Sequence, residues 1–301
     1  MRKLLEHFVC VVLLLFAGSL IRAQEQTADR ATVRFSDPSK PGMVIVSVHN
    51  GGITIKGYDG KEVIVEAKPR GKKLQESEEM ERLAARIEAR VHERMPRELE
   101  PEEKQERSKE GMKRIPFAGG TGLEVEEENN VMEVGVSSHR QTIDLTLQVP
   151  YSTSLELNAQ NNGNIKVENV TGEIEANNHN GAIRISGISG TVLASTWNGD
   201  VEVSFAKVNP DKPMSFTSWN GDIDVTFPAG IKANVKMKSE AGEVYSDFVI
   251  LLDKTPQRKE VKKEGKYRIS FEKYIIGSIN GGGPEYYFKT YSGDILIRKA
   301  K

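Results

Sequence analysis

The sequence predicts an all-β fold, a right-handed β-helix or β-solenoid carrying one charged helical insertion, and three observations support it. Residues 195–205 (STWNGDVEVSF) and 217–227 (TSWNGDIDVTF) are near copies, matching at six of eleven positions. Gly163, Gly172, Gly181, Gly190 and Gly199 follow one another at intervals of nine, each ahead of alternating apolar residues (NIKV, EIEA, AIRI, TVLA, DVEV). Aromatic content is only 7% while 27 glycines are spread through the chain, which suits short strands and tight turns better than a thick core.

From the amino end, MRKLLEHFVCVVLLLFAGSLIRA has a basic start (Arg2, Lys3) and an apolar run from Phe8 to Ile21. That run is shorter than the ~20 apolar residues a membrane span needs, so residues 1–23 read as a secretory signal peptide ending at Ala23. An uncleaved anchor is the alternative. The single cysteine, Cys10, falls inside the apolar run, so the exported chain would carry no disulfide, thiol nucleophile or thiolate-bound metal. The expected location is the periplasm, the cell envelope or the extracellular space.

Residues 24–71 include PGMVIVSVHNGGITIKGYDGKEVIVEA, alternating strands punctuated by Asn50-Gly51. Residues 72–116 break that composition: Glu, Lys and Arg dominate, and Met80, Leu83, Ala84, Ile87, Val91 and Met95 recur at helical spacing before Pro96. An amphipathic helix there would cover an edge of the solenoid, or serve self-association through residues 74–95 or a partner protein. Residues 117–301 form the repeat domain.

The repeat unit reads as strand–turn–strand–turn over 18 to 22 residues, with Asn-Gly supplying positive φ. Alternation sends Ile165 and Val167, Ile183 and Ile185, Val201 and Val203, and Ile223 and Val225 to one face, and Lys166, Arg184, Glu202 and Asp224 to the other. One unit cannot bury its apolar face, whereas stacked units can. Because Asn-Gly is also a strong hairpin signal, a β-sandwich is the alternative fold.

Val149-Pro150 followed by SLELNAQNNGNI, the serial NG[DNA][IV] units, and the closing INGGGPEYYFKTYSGDILIRK together resemble the bacterial "putative adhesin" domain of unknown function. Relatives of that family include auto-transporter adhesin heads. The resemblance covers about residues 40–67 and 120–300, and implies an exported or envelope-bound β-solenoid. It carries over no catalytic residues.

Aligned on their glycines, the units put His49, Asn161, His179, Trp197, Trp219, Glu240 and Tyr291 in one column. Trp197, Trp219, His179 and Tyr291 are the candidate binding residues: aromatic side chains in a row could anchor sugar rings or peptide side chains. The plainer reading is a structural ladder of Asn162-Gly163, Asn180-Gly181, Asn198-Gly199 and Asn220-Gly221, with amides bonded from unit to unit. A second column, Asn164, Ala182, Asp200, Asp222, Glu243 and Asp294, is too poor in Gly and Asp for a calcium roll and reads as solvated turn carboxylates.

Charge is balanced, 42 basic against 43 acidic residues, which argues against a nucleic-acid binder. No zinc helix, nucleophile elbow or phosphate loop is present, and no cofactor or metal is implied. The expected function is a non-enzymatic envelope module, with an envelope glycan or surface protein as partner. A carbohydrate-active β-helix enzyme, or an envelope regulator docking a partner through its insertion, are the alternatives.

Overall fold

A computed structural model describes residues 28–70, 120–138, 141–255, 257–263 and 266–301. The predicted signal peptide and the predicted helical insertion lie outside these residues. Every element within them is a strand.

The first seven strands are β1 (Asp29–Arg34), β2 (Met43–Asn50), β3 (Ile53–Tyr58), β4 (Glu62–Pro69), β5 (Leu123–Glu128), β6 (Val131–Val136) and β7 (Ile143–Pro150). The repeat contributes β8 (Ser154–Asn161), β9 (Ile165–Glu168), β10 (Ile174–Asn180), β11 (Ile183–Ile188), β12 (Val192–Asn198), β13 (Val201–Phe205), β14 (Met214–Asn220) and β15 (Ile223–Phe227). Then come β16 (Ala233–Ser239), β17 (Val244–Ser246), β18 (Ile250–Asp253), β19 (Gln257–Lys263), β20 (Lys266–Glu272), β21 (Ile275–Ile279), β22 (Glu285–Thr290) and β23 (Ile295–Lys299).

Two large sheets hold all but β19 and β20, which form a hairpin of their own. One sheet runs β1-β4-β7-β3-β9-β11-β13-β15-β23-β17, the other β18-β21-β16-β22-β14-β12-β10-β8-β2-β6-β5. Each repeat unit gives one strand to each sheet, and equivalent strands pair in parallel: Ile165, Ile183, Val201, Ile223 and Ile295 stand in one row, and the register of β11 on β13 shifts only between Ser186 and Ile188. Parallel pairing between units is what a solenoid-like stack requires and a sandwich of hairpins would lack. The Asn-Gly step is accordingly a corner between sheets, linking β12 to β13 and β14 to β15.

The inner faces of the two sheets meet in one core. Val46, Leu157, Ala176, Ala194, Phe216, Phe288 and Met237 are all buried along one side. Toward the carboxyl half the filling turns aromatic, with Phe205 stacked on Phe227 at 5.1 Å, Phe216 on Phe288 at 5.1 Å and Phe227 on Tyr286 at 5.3 Å.

Chain order and stacking order differ at both ends. The unit β2–β3 stands between β6–β7 and β8–β9, and the last unit, β22–β23, stands between β14–β15 and β16–β17. Beyond these, pairing turns antiparallel: β5 on β6, β4 on β7 and β1 on β4 at one end, β16 on β21 and β21 on β18 at the other. These strands end the parallel stack, which the repeat alone does not foretell.

Candidate functional site

The turn phrase Thr-Trp-Asn-Gly-Asp is built from five columns, each residue meeting a residue of the neighbouring rung. Thr196 is buried and donates its hydroxyl to the Gly181 carbonyl at 3.0 Å. Asn178 does the same to Gly163 through its amide, and Ser218, Thr290 and Ser239 to Gly199, Gly221 and Gly293. Sequence reading missed this column, although Thr or Ser two places before the Asn was its visible mark.

The asparagines form an amide ladder. Asn220 donates to the Asn198 Oδ1, Asn198 to Asn180 (2.8 Å each), and Asn180 to Asn161 at 2.9 Å. The rung below Asn180 is therefore Asn161, where Asn162 was expected, and by register Gln160 takes the place in the aromatic column assigned to Asn161. The cause is one extra residue in this corner: Asn162 sits at φ +62° and counting back from Gly163 is off by one. Its side chain still reaches the Asn50 Oδ1, at 3.3 Å.

The glycines answer two demands together. Gly199 and Gly221 have φ of +149° and +153°, which L side chains rarely adopt, and a Cβ on either would come within 2.4 Å of the carbonyl oxygen one rung below. The carboxylate that follows caps the next corner: Asp200 accepts the Asp222 amide at 3.0 Å, Asp222 that of Asp294 at 2.8 Å, and Asp294 that of Glu243 at 2.8 Å. These carboxylates are hydrogen-bonded turn elements, each used alike.

The remaining column is the aromatic one. Trp197 and Trp219 stack at 4.9 Å with 2° between planes, Trp219 and Tyr291 at 4.7 Å and 4°, and His179 lies on Trp197 at 6.0 Å. Ring spacing thus matches the ~4.8 Å between strands. All are exposed, the tryptophans at 48% and 41% and Tyr291 at 48%. Their faces, however, cover one another, so the surface they show is a ridge of ring edges. Stacking a sugar needs a free face, and the interior rings of this ridge offer none.

Glu240 follows Tyr291 in the column. Its carboxyl is held below the ordinary value first by the hydrogen bond from Lys238 Nζ (2.6 Å), then by the charges of Lys238, Lys289 and Lys273. On the opposite sheet a shallow groove of about 400 Å³ is lined by Lys166, Arg184, Glu202, Asp224 and Arg298; Arg184 pairs with Glu202 at 3.1 Å and Arg298 with Asp224 at 2.8 Å within it, while Lys166 pairs with Glu168 beside it at 2.6 Å. Among the described residues no cluster of three His, Cys, Asp or Glu is arranged to hold a metal ion.

A stacked β protein with a repeating polar corner is the class these features define. Residues 161–298, from the amide ladder to the last strand, match the family model described as Toastrack DUF4097. Among solved structures the chain is similar to a "putative cell adhesion protein" from Clostridium sporogenes ATCC 15579, at 11% identity over 91% of this chain and 100% of that one, with a TM-score of 0.41. It is also similar to a "putative adhesin" from Bacteroides fragilis NCTC 9343, at 9% identity over 91% and 98%, with a TM-score of 0.35. No curated protein matches the chain.

Proposed function

We propose that this protein is a non-enzymatic, adhesin-like binding or scaffold module, exported by its amino-terminal leader and held in the cell envelope or outside it. The observation that carries the reading is the exposed ridge of His179, Trp197, Trp219 and Tyr291 on a face whose backbone is locked rung to rung. Large aromatic side chains held rigid at a surface lose little entropy on binding, which is why they dominate recognition sites. The turn carboxylates favour a non-catalytic role, because Asp200, Asp222 and Asp294 have the same partner type and none is set apart as an acid or base. Ligand contact would be made by ring edges and indole N–H groups, which suits a protein surface or the hydroxyls of a glycan better than a stacked sugar ring.

A binding screen of residues 24–301 against envelope glycans and surface proteins tests this, with the double variant Trp197→Ala/Trp219→Ala alongside. Binding should fall at least about tenfold in the double variant, the scale of one lost hot spot. Retained binding by a folded double variant removes the ridge from the reading, and a screen without any binder removes the reading itself.

A further inference from the structure

The outer face of the β8-β10-β12-β14-β22-β16 sheet is electrically divided. One row of paired residues crosses it: Glu126, Glu133, Ile45, Glu156, Glu175, then Leu193, Ser215, Tyr287, Lys236. The row beside it runs Ser47, Asn158, Asn177, Ser195, Thr217, Lys289, Lys238. One half is acidic and the other basic, and the middle holds small hydroxyls around the exposed Leu193 (45%).

This segregation is costly in a lone molecule. Glu126 lies directly opposite Glu133, and Glu156 opposite Glu175, and like charges facing across strands are destabilising. None of the four has a cation partner among the described residues. On the basic half Lys236 and Lys238 lie over the Tyr274 ring, at 4.4 and 5.4 Å, and one carboxylate, Glu240, pairs with Lys238 at 2.6 Å and is shared with the charges of Lys289 and Lys273.

We propose that this face binds a second copy of the chain, across a two-fold axis parallel to the strands and passing between β12 and β14. Counting strands from that axis, Glu156 of one copy faces Lys236 of the other, and Glu175 faces Tyr287 with Lys289 diagonal to it. Asn158 and Asn177 face Lys238 and Lys289, and Leu193 meets Ser215 at the centre. The other two-fold, across the strands, would set Glu156 on its own copy and is excluded by repulsion. Both aromatic ridges then lie side by side along one rim, Trp197 against Trp219, so pairing doubles the ridge.

Six strands at ~4.8 Å and about five residues of each at ~3.3 Å cover ~480 Å² per copy. That total of ~950 Å² lies below the range of stable specific complexes, so the dimer should be weak and salt-sensitive. The readout is mass rather than ligand binding, so the outcome is independent of the adhesin reading.

Sedimentation of residues 24–301, which contain every described strand, tests the proposal. A dimer is expected at about 0.05 M salt, with the association constant falling at least about tenfold by about 0.5 M. Two charge-reversed variants, Glu156→Lys/Glu175→Lys and Lys236→Glu/Lys289→Glu, should each be monomeric, and an equimolar mixture of the two should restore the dimer. Leu193→Arg, at an exposed position, should also give a folded monomer. A wild-type chain monomeric at low salt, a dimer indifferent to these changes, or a mixture that stays monomeric would each overturn it.

Discussion

Gly199 shows how one atom decides a corner. A Cβ there would press on the Gly181 carbonyl and force an L residue to φ +149°. Gly199→Ala should therefore destabilise the protein by about 3 kcal/mol or more, the range of steric and backbone faults combined, read from urea or thermal unfolding. Gly230, where a Cβ meets nothing within 4 Å, is the control: Gly230→Ala should change little. A Gly199→Ala variant as stable as wild type would mean that the rungs slide apart freely. Asn198 tests the ladder beside it. Asn198→Ala leaves the Asn180 Oδ1 and the Asn220 Nδ2 without their partners, and should cost about 1–2 kcal/mol, less than a buried pair because both are half open to water. The residue scale was legible in part. Asn, Gly and Asp announced a turn column by repetition. That the tryptophan faces would be spent on one another followed only once rung spacing and ring tilt were known.

At the scale of elements, the nine-residue beat was readable because alternation and glycine spacing are local. The ends of the stack were not, since antiparallel strands such as β5–β6 and β18–β21 carry no repeat and are placed by contacts distant in sequence. One such end is held by carboxylates. Ser36 donates its amide and its hydroxyl to Glu127 (3.1 and 2.7 Å), and Asn130 donates its amide to the same group at 3.0 Å. These bonds, that from Ser36 first, keep Glu127 below its ordinary value, while Asp37 is pushed down to about 2 by bonds from Ser39 and Lys40. A carboxyl whose folded value lies below its unfolded one stabilises above the unfolded value, and that contribution is lost as pH falls through the folded one. Between pH values of about 4.5 and about 2, then, the loop 35–42 and the β5–β6 turn should loosen before the repeat does. Amide protection of Ser36 and Asn130 should drop at acid pH while that of Val201 and Ile223 stays high. Equal loss at all four sites would refute a locally titrating cap.

For the whole molecule, the order of stacking matters more than the repeat. In a plain solenoid the chain end is the stack end, and removing the last unit costs one interface. Here the last unit lies inside: β22 is hydrogen-bonded to β14 and to β16, and β23 to β15 and to β17. Phe288 and Tyr286, both fully buried, stack on Phe216 and Phe227. Nothing in the local pattern of YSGDILIRK distinguishes an inner rung from a terminal one, because its neighbours are chosen by shape at long range. Deleting residues 285–301 would break both sheets at once and uncover the aromatic core, so the truncated chain should lose its cooperative unfolding transition altogether. The hairpin β19–β20 pairs within itself. Replacing residues 257–272 by a short Gly-Ser link should leave the midpoint within about 3 °C of the intact chain, an effect of about 1 kcal/mol or less. Differential calorimetry of the two deletions separates the cases. A chain ending at residue 284 that still melts in one sharp transition near the original midpoint would show that the stack does not need its final rung, and that the inserted order is not what holds the molecule together.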